Sequence, residues 1–197
     1  MANRRGSSSV PLPLLGGFAV FLIVIAYVVA SSLARPVVRT FEPSAPRPLL
    51  PVSDRPVTDT VTVDASDADL WRFLDLDRRA LLTIPDTAGW DIAFRRHAII
   101  TSGGAHDLGA SVAYDDVVRP PAGPYTATVA GNDTVNAVLN RWYDYRLLTH
   151  LLEPNGHVYS IRTREGRYAK LDILSYYCPG PRAGCPTVRY TIPLESP

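Results

Sequence analysis

The chain has 197 residues and a net charge of +1. A balance this close to neutral lacks the basic face that nucleic acid requires, so DNA- and RNA-binding classes are set aside. Hydrophobic residues make up 46% of the chain, ordinary for a globular protein, so any membrane segment must show itself by continuity rather than by composition.

One stretch does so. Residues 12–34 read LPLLGGFAVFLIVIAYVVASSLA, and no charged residue occurs between Arg5 and Arg35. A run of roughly 20 apolar residues at about 1.5 Å per residue matches a hydrocarbon core of about 30 Å. The pattern predicts a transmembrane helix over 12–34, preceded by a basic cytoplasmic tail over 1–11 that carries Arg4 and Arg5. A secretory signal peptide is the alternative, with Ser32-Leu33-Ala34 as its cleavage site. The apolar run exceeds the usual signal core of about 7–15 residues, which favours a retained anchor. Within the span, Gly16, Gly17, Ala26 and Ala30 are small enough to let another helix, a pigment or a lipid pack closely, and Tyr27 needs a partner for its hydroxyl.

Residues 35–56 contain six prolines: Pro36, Pro43, Pro46, Pro48, Pro51 and Pro56. Proline fixes φ and lacks an amide donor, so the segment is expected to be an extended linker. Leu49, Leu50 and Val52 are apolar for a solvated spacer and suggest that it lies along a partner.

From residue 57 the pattern changes to a period of two. Thr60-Val61-Thr62-Val63 alternates as a strand does, and residues 71–74 and 80–84 are further strand candidates. In Trp90-Asp91-Ile92-Ala93-Phe94 alternation puts Trp90, Ile92 and Phe94 on one face and turns Asp91 and Arg95 the other way. Residues 98–101 are read as a continuation of that strand, and 111–114 and 125–129 as short strands. Residues 132–139 fit a helical turn or a strand equally well. Residues 158–163 and 167–177 alternate on either side of Arg164-Glu165-Gly166, where the glycine supplies the permissive turn backbone. Ala169, Leu171 and Ile173 share a face, and residues 187–192 form a last strand. Short strands punctuated by Gly and Pro, with no long amphipathic helix, predict an all-β domain over 57–197. An antiparallel sandwich or a strongly bent sheet would accommodate them.

Cys178 and Cys185 would close a turn between antiparallel strands, which suits one disulfide in an oxidising compartment. This also sets the topology: a single-pass protein of the bacterial inner membrane, N-terminus in the cytoplasm and C-terminal domain in the periplasm. A metal site is not expected there, because two cysteines without a neighbouring histidine are half a zinc site. The closely spaced Asp64, Asp67 and Asp69 miss the calcium-loop pattern and read as turn caps. The sequence shows no catalytic constellation, so a non-enzyme is expected, with no catalytic residues.

Four stretches, VTVDASDADLW (residues 61–71), WDIAFRRHAIITSGG (90–104), WYDYRLLTHLLEP (142–154) and VYSIRTREGRYAKLDILSYY (158–177), together resemble the HmuY-like family of bacterial envelope haem-binding proteins. The resemblance covers most of residues 57–197. It implies an all-β fold, an extracytoplasmic location and haem as the cofactor, held in some members between two side chains. Haem-binding members carry a long ligand-bearing hairpin where this chain has only residues 131–141. The sole methionine is Met1, which leaves His97, His106, His150, His157 or a tyrosine to ligate iron. His150 and His157 flank Pro154-Asn155-Gly156 and could approach across it, so these two are the haem-ligand candidates.

Two functions follow. The first is a non-enzymatic accessory subunit of a bacterial membrane complex, a photosynthetic reaction centre–light-harvesting complex by its layout. The span would meet integral membrane subunits and lipid, and the β-domain would brace them. The alternative is a membrane-tethered haem-binding or haem-capture protein.

Overall fold

A computed structural model describes residues 11–33, 37–82, 89–130 and 134–195. The chain divides into two units, Met1–Val37 and Val38–Pro197.

The first unit contains α1 (Leu12–Leu33), 22 residues long and exposed along its described side chains. Pro13 lies in its first turn, where a missing amide costs nothing, and the Pro11 carbonyl accepts from the Leu14 and Leu15 amides. At about 1.5 Å per residue the helix is roughly 33 Å long, enough by length and composition to cross a membrane. The Ser31 hydroxyl donates to the Tyr27 carbonyl at 2.7 Å, so the one hydroxyl in the last turn with a described side chain is satisfied inside the helix.

The second unit holds two antiparallel sheets and a two-stranded ribbon. The strands are β1 (Val57–Thr62), β2 (Arg72–Asp75), β3 (Ala80–Leu82), β4 (Ile92–Arg95), β5 (Ala98–Thr101), β6 (Gly104–Gly109), β7 (Tyr143–Arg146), β8 (Leu151–Pro154), β9 (Val158–Arg162), β10 (Tyr168–Cys178) and β11 (Arg182–Ile192). The large sheet runs β1-β11-β10-β9-β6, the small sheet β3-β2-β4-β5, and β7 pairs with β8. Val61, Leu74, Ile92, Phe94, Ile161, Leu171 and Val188 meet in one core cluster drawn from both sheets. The small sheet carries a second layer on its opposite face, Phe73, Ala93 and Ile100 with Trp71, Leu82 and Trp90 against them. Burial on both faces is why β4 and β5 read as continuous apolar runs rather than as clean alternation.

This arrangement corrects two expectations about residues 90–101. Trp90 does not share a face with Phe94; its ring packs on Phe73 at 5.4 Å, in the outer layer. The reason is Asp91, which sits in a bend before β4 and turns its carboxylate into the protein, so the alternation starts one residue later. Residues 98–101 do not prolong β4 either. Arg96, at φ 53°, reverses the chain, and β5 pairs back on β4. Residues 111–114 and 125–129 are not strands: the first lead into a 3-10 turn at Tyr114–Asp116, and the second make only isolated bridges, Thr126 to Ala105 and Val129 to Val135. β9 and β10 are joined by the turn at Gly166, at φ 82°, and Ala169, Leu171 and Ile173 are all buried. Residues 139–141 form a 3-10 turn, while residues 131–133 lie outside the described residues.

The proline-rich segment is extended, as its prolines require, and residues 38–56 lie along this chain's own sheets. Thr40 bridges Tyr177, and the Ser175 hydroxyl donates to the Arg39 carbonyl. Further along, the Ser44 amide donates to the Thr62 carbonyl at 2.8 Å and the Arg47 amide to that of Leu81 at 3.2 Å. Because β1 and β3 are the outer strands of their sheets, the segment covers two edges that would otherwise offer unpaired backbone groups. Prolines suit this place because an edge cover need not donate at every residue.

Cys178 and Cys185 form a disulfide across the β10–β11 turn, and both are fully buried. With a sequence separation of 7, the loop-entropy relation gives about 2.5 kcal/mol. Cys185→Ser with Cys178→Ser is therefore expected to lower stability by about that amount in urea unfolding, reproduced by reduction of the wild type. An unchanged midpoint would show that the turn holds itself.

Candidate functional site

The histidines fall in two places. The first is the β7–β8 ribbon, set by Trp142. Its indole is buried and donates from Nε1 to the His97 carbonyl at 2.8 Å, tying the start of the ribbon to the β4–β5 turn. Tyr143 and Tyr145, two residues apart on β7, share a face. The His97 ring meets Tyr143 edge-on at 5.9 Å, and the Tyr145 hydroxyl lies 2.5 Å from His150 Nδ1. His150 occupies a left-handed backbone position at φ 55° in the tip of the ribbon and is exposed.

The second place is where β6 meets β9. Asp107 stands opposite Tyr159, and a register shift follows it, between Asp107 and Gly109. The His157 Nδ1 atom lies 2.9 Å from each oxygen of the Asp107 carboxylate, and its ring stacks on Tyr159 at 6.2 Å. Half-buried His157 is thus oriented by a carboxylate through one ring nitrogen, leaving Nε2 as the atom for a ligand. Histidines that bind iron or zinc are held in this way. His106 precedes Asp107 on the strand and so points to the other face. Its Nδ1 pairs with the Pro124 carbonyl at 3.0 Å, and its ring lies 5.8 Å from Tyr125. Gly123, at φ 153°, backs that ring so closely that a Cβ would stand 3.0 Å from His106 Cε1.

His150 and His157 sit beyond opposite ends of β8, which spans roughly 10 Å over its four residues. Each has its own partner on its Nδ1, the Tyr145 hydroxyl for His150 and the Asp107 carboxylate for His157. A cleft of about 540 Å³ in the β-domain is lined by Asp54, Pro56, Arg167, Tyr168, Leu194 and Glu195 among others, and no histidine borders it. Asp64 approaches Cys178 and Cys185, but both sulfurs are in the disulfide and offer no thiolate to a metal. In α1, Gly16, Ala26, Tyr27 and Ala30 fall within an arc of about 100°, and Gly17 lies outside it. An added Cβ at Gly16 or Gly17 would meet nothing within 4 Å.

Asp107, the partner of His157, was not found from sequence. It is 50 residues away, and only the β6–β9 pairing joins the two. Asp91 was missed for the same reason. Its Oδ2 accepts from the Leu76 amide and its Oδ1 from the Arg164 amide, each at 2.8 Å.

No family model and no curated protein matches the chain. Solved structures do. A Bacteroides fragilis protein assigned as a lipoprotein aligns at 21% identity and a TM-score of 0.61, over 70% of this chain and 90% of its own. A Bacteroides vulgatus protein assigned as HmuY-like and haem-binding aligns at 21% and 0.57, over 70% and 93%. The apo HmuY analogue of Tannerella forsythia aligns at 20% and 0.59, over 73% and 99%. Antiparallel sheets in this order, preceded by one apolar helix, are therefore an HmuY-like fold.

Proposed function

We propose that this chain is a membrane-tethered haem-binding protein, non-enzymatic, with α1 as a single-pass anchor in the bacterial inner membrane and the β-domain in the periplasm. The observation that carries the reading is His157 Nδ1 on the Asp107 carboxylate within an HmuY-like fold. His157 would hold the iron through Nε2 and Asp107 would orient the ring. Haem supplies the iron, and the protein supplies one ligand and the surface beside it. The disulfide supports a domain outside the reducing cytoplasm. Between the two functions expected from sequence, the similar structures favour the haem-binding one over a photosynthetic-complex subunit, since one of them is assigned as haem-binding. Gly16, Gly17, Ala26, Tyr27 and Ala30 remain the positions through which the anchor would meet other membrane helices.

The test is a haemin titration of the full chain in mild detergent. A Soret band is expected to develop, to be lost in His157→Ala, and to persist in His150→Ala. Asp107→Asn is expected to weaken binding about 10-fold, the scale of a lost orienting partner. No band in the wild type, or an unaltered band in His157→Ala, overturns the assignment.

A further inference from the structure

The tip of the β7–β8 ribbon carries apolar side chains that are exposed among the described residues. Leu147 is 76% exposed, Leu148 92% and Tyr145 48%. They are consecutive or nearly so, in the sequence Tyr145-Arg146-Leu147-Leu148, at the end of a projecting ribbon whose base is fixed by Trp142. Such a tip combines two full-length aliphatic side chains with a tyrosine and an arginine. Tyrosine and arginine both carry an apolar body and a polar end, the pairing found at membrane–water boundaries.

Chain connectivity brings a lipid surface within its reach. Five residues, 34–38, separate Leu33 at the end of α1 from Arg39, whose carbonyl is held by the Ser175 hydroxyl on β10. Even fully extended, that length spans about 20 Å. A bilayer that α1 leaves at Leu33 therefore lies within that reach of the Ser175 end of β10. The ribbon is fixed to the same end: the Leu152 amide on β8 donates to the Tyr177 hydroxyl at 2.8 Å. From Leu152 to Leu148 is four residues, at most about 13 Å of ribbon.

We propose that Leu147 and Leu148 insert into the lipid headgroup–acyl boundary. The domain is then held to the bilayer at a second point and cannot swing freely on its tether. This rests on the reading of α1 as a membrane anchor. Insertion would fix which face of the β-domain is presented to the bulk periplasm.

The test uses the full chain in phosphatidylcholine–phosphatidylglycerol vesicles, with bromine on the acyl chains either near the headgroup or near the chain end. Tryptophan emission of Leu148→Trp and, separately, Leu147→Trp is compared with the wild type, whose own tryptophans supply the background. Tyr27→Trp reports on the anchor. The added Leu148→Trp emission is expected to fall more with bromine near the headgroup than with bromine near the chain end, as for an interfacial tryptophan. Tyr27→Trp is expected to be quenched as a residue within the bilayer. Quenching of Tyr27→Trp with neither tip tryptophan affected overturns the insertion while leaving the anchor intact. That result would also be the one given by a tip covered by a second copy or by a protein. An unquenched Tyr27→Trp overturns the anchor, and the insertion with it.

Discussion

Replacing Asp91 with alanine is expected to cost the domain about 2 kcal/mol more folding stability at pH 4 than at pH 7. Asp91 is 3% exposed and joins two loops that are far apart in the chain. Its carboxylate accepts the Leu76 amide, beyond β2, and the Arg164 amide, between β9 and β10. Burial pushes its carboxyl up from 3.8 to about 6; the two backbone donors oppose this, and the neighbouring Asp77 and Asp75 reinforce it. Burial pushes the Asp77 carboxyl up as well, against the nearby Arg167, whose guanidinium lies 3.1 Å away. The remaining charges lie on the same loops: Arg78 pairs with Asp75 and with Glu165.

The sign follows from the direction of the shift. A carboxyl whose pKa is raised in the folded state binds its proton more tightly there than in the unfolded chain. That contribution is complete below the unfolded value and is lost as pH rises through the folded value. The wild type therefore loses stability between about pH 4 and pH 6 through Asp91, and the alanine variant does not. At either pH the variant also leaves two buried amides without acceptors, at roughly 1–3 kcal/mol each. Urea unfolding followed by tryptophan emission measures both proteins at both pH values. An equal cost at the two would show that Asp91 is not the raised group.

Trp142→Ala is expected to lower stability by about 4 kcal/mol, the range for emptying a buried aromatic site. The indole is fully enclosed, meets Tyr143 at 5.0 Å and Tyr176 at 5.3 Å, and is the donor that fixes the His97 carbonyl. Trp142→Phe keeps most of the volume but leaves that carbonyl unpaired, at about 1–2 kcal/mol. The two variants differ in what they do to the ribbon. In Trp142→Ala the base of β7 loses its packing, so amide exchange at Leu152 and along β8 is expected to rise well above that of β9. In Trp142→Phe it should stay close to the wild type. Equal protection in both variants would mean that Tyr177, through its bond to the Leu152 amide, holds the ribbon without help from the indole.

The resemblance to HmuY-like proteins was legible because it rests on short runs that keep their order: the strand pair around Gly166, the Trp142 stretch and the Trp90 stretch. Each is a local pattern, and a period of two survives any tertiary arrangement that buries one face. The same logic failed at Trp90 and Asp91, where one residue in a bend shifted the alternation. No count of apolar positions reveals a bend stabilised by amides at Leu76 and Arg164. His150 and His157 were paired because they are close in sequence across a turn signal. Residues 151–154 between them are extended in β8, so the two lie beyond opposite ends of that strand, an arrangement that a turn signal alone does not specify.

From the sequence alone came the apolar helix, the all-β class, the turn at Gly166 and the disulfide, since each depends on residue type and spacing within a dozen positions. The tertiary structure alone decided that the proline-rich segment covers the edges of β1 and β3. It also decided that Asp107 orients His157, that Asp91 is buried, and that Leu147 and Leu148 stand uncovered. These are settled by tertiary contacts that join residues 15 to 136 positions apart, from Asp91–Leu76 to Ser175–Arg39, and that no local pattern encodes.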